Sequence, residues 1–195
     1  MKIFGLVGWS GSGKTTLVSK LVPELIGRGY TVSTMQHTHH NFDIDKKGKD
    51  SYLHRTAGAT EVLITGAKRW AILHENRDAP EASIDDLLAR MEDVDLVLIE
   101  GFKSHLHQKM EIHRPAVGKP LLSPDDPSII AVATDADLGD MDAAVLDLEN
   151  IKAIGDFIVG HLGLEAGEKN GAALGRLFRL RGRFDATGGC ACPVA

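Results

Sequence analysis

The octapeptide Gly8-Trp9-Ser10-Gly11-Ser12-Gly13-Lys14-Thr15 follows directly on the apolar run Ile3-Phe4-Gly5-Leu6-Val7. A helical pattern begins at once behind it, with Leu17, Val18, Leu21, Val22, Leu25 and Ile26 recurring on one face. Strand, glycine-rich turn and helix in this succession make a phosphate-binding loop. Glycine at positions 8, 11 and 13 lets successive N–H groups point inward at phosphate oxygens, and the start of the following helix adds its positive end. Lys14 is expected to reach the β- and γ-phosphates, and the Thr15 hydroxyl to ligate a bridging Mg²⁺. The expected phosphate-contacting set is Gly8, Ser10, Gly11, Ser12, Gly13, Lys14, Thr15 and Thr16. A nucleoside triphosphate with magnesium is the implied ligand.

The remaining pattern alternates strands with helices, which predicts an α/β fold of three layers: a mostly parallel sheet with helices on both faces. The first helix is expected to end near Gly27-Arg28-Gly29 and to bend at Pro23, with a second strand over residues 30–36. Asp50 is expected to cap a helix over 51–57, closed by Gly58. Two strands over 61–65 and 69–74, joined by Gly66-Ala67-Lys68, form a hairpin inserted into the alternation. Ser83 and Asp86 have the spacing of a capping box. Further strands are expected over 94–99, 109–113, 129–133 and 144–148, and Asn150 is expected to cap a last helix through Leu162.

A chain of 195 residues fits one domain with a core of its own. Residues 1–164 are read as that domain. A net charge of -5, from 22 basic and 27 acidic residues, argues against a general nucleic-acid binder. No stretch approaches the ~20 apolar residues of a membrane span and no signal peptide is legible, so a cytoplasmic protein without membrane contact is expected. The only cysteines, Cys190 and Cys192, cannot form a disulfide framework and cannot alone close a tetrahedral metal site.

Two further constellations fall on the rim that carries the phosphate loop. Asp95-Leu96-Val97-Leu98-Ile99-Glu100-Gly101 reads as a buried strand ending in a carboxylate, the usual companion of such a loop. Glu100 stands at the nucleotide end as a candidate Mg²⁺ organiser, Asp95 at the other. His37-Thr38-His39-His40, with Asp43 and Asp45, leaves the end of the second strand. These residues could bind a transition metal, contact an anionic substrate, or form a loop whose acids, Asp43 among them, approach Mg²⁺. Lys49, Asp50, Arg69 and Lys103 join the histidines as candidate substrate or partner contacts.

Together, the phosphate loop, the His37–His40 stretch with Asp43 and Asp45, Gly48-Lys49-Asp50-Ser51, Arg69-Trp70-Ala71 and Glu100-Gly101-Phe102-Lys103 resemble the molybdopterin-guanine dinucleotide biosynthesis protein B (MobB) family over about residues 1–162. The resemblance implies a GTP-binding protein of low intrinsic GTPase activity that assists the guanylyltransferase joining GMP to molybdopterin. It also implies a homodimer that pairs through the inserted hairpin, with Trp70 as an interface anchor. Molybdopterin itself is a further candidate partner.

The guanine-reading Asn-Lys-X-Asp motif of small GTPases is absent, and Thr134-Asp135-Ala136-Asp137 is its nearest positional substitute. Asp135 either accepts from guanine N1 and N2 or serves a turn. The expected chemistry is attack of water on the γ-phosphate, with Lys14, Thr15 and Glu100 as catalytic residues. No residue stands out as an arginine finger or activating base, so slow turnover without a partner is expected. Two rival classes remain: a small-molecule kinase with a lid within 103–114, and a metal-delivery GTPase using the histidines and Cys190-Ala191-Cys192. Residues 165–195 are glycine-rich and basic, with Arg176, Arg179, Arg181 and Arg183 among Leu174, Leu177 and Phe178. They are expected to be a flexible tail or a partner-docking element.

Overall fold

The computed structural model describes residues 1–38, 42–102 and 105–165. His39, His40, Lys103 and the tail from residue 166 onward, with both cysteines, lie outside the described residues. In chain order the elements are β1 (Lys2–Val7), α1 (Lys14–Gly27), β2 (Val32–Gln36), α2 (Asp50–Thr56), β3 (Glu61–Gly66), β4 (Arg69–His74), α3 (Ile84–Leu88), β5 (Leu96–Glu100), β6 (Lys109–His113), β7 (Ile129–Thr134), β8 (Ala144–Asp147) and α4 (Ile151–Leu162).

Six strands form one sheet in the order β2-β5-β1-β6-β7-β8, and every neighbouring pair is parallel. Parallel strands need crossovers, and the crossovers carry the helices. Alternate residues of β1, β5 and β6 (Phe4, Leu6, Leu96, Leu98, Met110, Ile112) pack with Leu17, Leu21 and Leu25 of α1 and Ile154 and Ile158 of α4. On the opposite face Met35, Val97 and Ile99 meet Ile84 of α3. These are the three expected layers, but the second helical layer is thin. Over β6 its place is taken by the 115–128 connection, and the residues β6 turns that way are Lys109, Glu111 and His113, all buried. The Glu111 carboxylate accepts from the backbone N–H groups of Leu122 and Ser123 at 2.9 Å, and the Lys109 ammonium donates to Asp126 at 2.8 Å. Paired in this way, the buried charges avoid the cost of isolation.

The caps follow local chemistry closely. Ser83 and Asp86 form a reciprocal capping box at α3, and the Asn150 side chain accepts from the Ala153 N–H to start α4. Helix α1 runs unbroken through Pro23. At α2 the expected cap moves by one residue: Lys49 is the cap and Asp50 opens the helix. An acidic residue in the first turn suits the positive helix end as well as a cap would. Strand β5 starts at Leu96 rather than at residue 94, because the Asp95 carboxylate accepts from the Thr31 N–H and hydroxyl, both at 2.7 Å. Those bonds hold the Asp95 carboxyl below the usual range.

The inserted hairpin is a separate two-stranded antiparallel sheet in which Gly66 faces Arg69, leaving a two-residue turn, Ala67-Lys68. Val62 is its one buried hydrophobic residue, while Leu63, Ile64, Trp70 and Ile72 are exposed.

Candidate nucleotide-binding site

Because the six strands are parallel, their carboxyl ends share one rim, where ligands of such sheets bind. The phosphate loop, His37, Glu100, Arg114 and Asp135 all leave strands there. Gly8 is forced to be glycine on two counts. Its φ is 149°, and a Cβ there would stand 2.4 Å from the Ile112 carbonyl oxygen and 2.7 Å from the Ser12 hydroxyl. Gly13, at φ 98°, turns the chain into α1.

The loop is closed by the Ser12 N–H donating to the Trp9 carbonyl at 3.1 Å. The Lys14 ammonium bends back to donate to the carbonyls of Gly8 and Trp9, each at 3.0 Å, so a positive charge lies across the loop. Outside it, the Trp9 indole donates to the Pro120 carbonyl at 2.8 Å and carries the Lys119 ammonium over its ring. The Ser12 hydroxyl is buried and without a hydrogen-bond partner. A buried, unsatisfied hydroxyl costs about 1–3 kcal/mol, and a phosphate oxygen is the acceptor this loop geometry suits.

At the first turn of α1 the Thr15 hydroxyl donates to Glu100 Oε1 at 3.3 Å, so β1 and β5 bring together the pair expected to organise magnesium. The donor set fits that ion. Both groups are hard oxygens, and cis oxygens around Mg²⁺ stand about 3.0 Å apart for bonds of about 2.1 Å. Ser10 and Gly11 are exposed at the loop tip, and Thr16 is exposed on α1.

His37 joins the same corner. Its N–H donates to the Glu100 carbonyl at 2.9 Å, its Nε2 meets Glu81 at 2.9 Å, and its ring lies 4.5 Å from that of Phe102. Gly101 has φ 96°, and a Cβ there would come within 3.0 Å of the His37 Cβ. Phe102 follows at φ 47°, so the turn after Glu100 needs a glycine at its first residue and is strained at its second.

Asp43 is held elsewhere. With Asp45 and Glu75 it surrounds the Arg55 guanidinium, at 2.6, 2.9 and 3.2 Å respectively. Asp45 hydrogen-bonds Asp43 and raises its carboxyl, while Arg55 lowers that of Asp45. This cluster ties the segment after β2 to α2 and to the residue that follows β4. Lys49, Asp50 and Arg69 are exposed on α2 and the hairpin. The lid of the kinase alternative is displaced, because residues 109–113 are a buried strand of the main sheet. Among the described residues no group of three His, Cys, Asp or Glu side chains could hold a metal ion.

Arg114 was not anticipated from the sequence. It leaves the end of β6 on the α1 side, and its Nε lies 3.4 Å from the point where Gly13 would carry a Cβ. The guanidinium donates to Asp135 at 2.5 Å and to Glu149 at 2.9 Å. Asp135 therefore has one carboxylate oxygen engaged by arginine. Beyond it, a cavity of about 420 Å³ opens between the ends of β7 and β8, lined by Thr134, Asp135, Ala136, Asp137, Val145, Leu146 and Asp147.

The family model for molybdopterin guanine dinucleotide synthesis protein B matches residues 3–135. A molybdopterin-guanine dinucleotide biosynthesis adapter protein of Haemophilus influenzae is 44% identical over 159 residues, spanning 80% of this chain and 86% of its own length. Its Escherichia coli counterpart is 40% identical over 160 residues, with 80% and 91% covered. A crystal structure of molybdopterin-guanine biosynthesis protein B superposes with a TM-score of 0.67 at 25% identity, covering 83% of this chain and 99% of that one. A phosphate loop of this geometry, in a chain that matches relatives over most of their length, leaves one assignment: the protein belongs to the MobB family of molybdopterin guanine dinucleotide synthesis.

Proposed function

We propose that this chain is a GTP-binding accessory protein of molybdopterin guanine dinucleotide synthesis, a slow GTPase that assists the guanylyltransferase attaching GMP to molybdopterin. The observation that carries the nucleotide half of this reading is the closed loop 8–15, with Lys14 folded across it and Thr15 on Glu100. The adapter half rests on the family and on relatives that carry that description.

Lys14 and the loop N–H groups hold the β- and γ-phosphates and stabilise charge on the transferring group. Thr15 and Glu100 would hold Mg²⁺, which would neutralise charge on the phosphate oxygens. His37 and Glu81 brace the turn that carries Glu100.

The hairpin supplies the assembly side of the proposal. Leu63, Trp70 and Ile72 are exposed on one face of two adjacent strands, and a second copy of the chain covers them in a homodimer. The site of action is the cytoplasm, and no described helix is long and apolar enough to cross a membrane. The test is GTP turnover by the full chain alone and with the purified guanylyltransferase and molybdopterin. Slow turnover that rises with the partner supports the reading; turnover already at common kinase rates, or indifference to the partner, contradicts it.

A further inference from the structure

Four elements of the rim are tied by one chain of charges. Lys20, on α1, donates to Glu149 at 3.2 Å; Glu149, between β8 and α4, accepts from Arg114; and Arg114, at the end of β6, also donates to Asp135 at the end of β7. Hydrogen bonding to Glu149 and Asp135 raises the Arg114 pKa, and Arg114 with Lys20 lowers that of Glu149. Each pair is partly exposed, and as isolated surface ion pairs they would contribute little to stability. Their placement is what matters. The planar guanidinium lies against Gly13, the residue that turns the phosphate loop into α1; of its two acceptors, Asp135 lines the β7–β8 cavity and Glu149 lies two residues beyond Asp147, which lines it too.

We propose that Arg114 is a positioning residue for the nucleoside: a strut that fixes the β7–β8 cavity relative to the phosphate loop and presents the remaining oxygen of Asp135 to the base. The inference rests on the proposed nucleotide-binding reading and adds to it the residue that couples its two halves. Geometry supports the assignment. A guanidinium offers several donors in one plane, so two carboxylates from separate loops are held at a set angle, which an ammonium cannot do. Asp135 alone, at an exposed strand end, would be free to rotate; bound through one oxygen, it is oriented. The inert alternative is that Arg114 only stabilises the fold, and that role would not distinguish one base from another.

The experiment measures binding of GTP, ATP and inorganic tripolyphosphate, each with Mg²⁺, to the full-length wild type, Arg114→Ala, Arg114→Lys and Glu149→Gln. The expected result for Arg114→Ala is a loss of about tenfold for GTP, on the scale of one charged hydrogen bond. The GTP-to-ATP preference should shrink, and tripolyphosphate affinity should stay within twofold. Arg114→Lys should recover little of the preference, and Glu149→Gln should lose part of it. Equal losses for GTP and tripolyphosphate would overturn the proposal by placing Arg114 on the phosphates. Unchanged preference would overturn it as well. A wild type that binds no nucleotide would instead sink the underlying nucleotide reading, so the two failures are distinguishable. Should Arg114→Ala fold poorly, Glu149→Gln and Asp135→Asn read the same selectivity without removing the cation.

Discussion

The phosphate-loop rim and the inserted hairpin are opposite kinds of surface. The rim grows out of the core: β1 and β5 are buried along most of their lengths, and the groups at their ends are fixed by short-range contacts such as Ile112 against Gly8 and His37 against Gly101. The hairpin has one buried hydrophobic residue and shows Leu63, Ile64, Trp70 and Ile72 to solvent. Rigid polar geometry suits a small anion, while an exposed apolar pair of strands suits a macromolecular face. The two regions should therefore fail independently.

The largest expected effect is on the rim. Gly8→Ala would place a methyl 2.4 Å from a backbone carbonyl at a φ that alanine resists. Overpacking and strain together should cost roughly 4 kcal/mol of stability. Denaturant unfolding, read with GTP binding and sedimentation, checks it. Loss below about 1 kcal/mol would mean that the loop is far softer than its contacts imply.

Next comes acid. His107 is buried over Gly5 of β1, and burial first, then the positive charges of His105 and Lys109, lower its pKa to about 4. The unfolded chain takes up that proton near pH 6.5, so stability is full above this value, falls as pH drops toward 4 and then levels. The loss is about 3 kcal/mol. Unfolding curves of wild type and His107→Gln at pH 7.5 and 4.5 should show a smaller loss in the variant. The same loss in both would remove His107 as the cause. Since His107 supports the sheet rather than the hairpin, acid should weaken the rim's foundation first.

The smallest of the three concerns the hairpin. Trp70→Ser should weaken the proposed dimer by about 2 kcal/mol, as for a buried aromatic anchor, and leave GTP affinity within twofold. Analytical ultracentrifugation over a dilution series measures the first and titration the second. A variant that loses nucleotide binding along with assembly would join the two regions and break the comparison.

Much of this division was legible in the sequence. The phosphate loop, the hairpin and the caps at Ser83 and Asn150 follow from local patterns, because each depends on residues a few positions apart; Glu100 was legible from its place at the end of an apolar strand, although its contact with Thr15 spans 85 residues. Arg114 was missed because its meaning lies in partners 21 and 35 residues away. The available signal was its place one residue beyond a predicted strand, in step with Met110 and Ile112 and so on the α1 side. The buried Lys109, Glu111 and His113 were likewise unreadable, since the groups that satisfy Lys109 and Glu111 come from the connection after β6. Asp43 was expected near magnesium on the strength of its loop, and its carboxylate is instead gathered by Arg55, twelve residues on.

Calorimetric titration of GTP with Mg²⁺ against wild type and Lys14→Ala tests whether loop 8–15 is a working nucleotide site. Saturable, one-to-one binding to wild type and a roughly 100-fold weaker interaction with the variant are expected, on the scale of two charged hydrogen bonds. Equal affinity for both proteins, or no binding to either, would contradict that assignment.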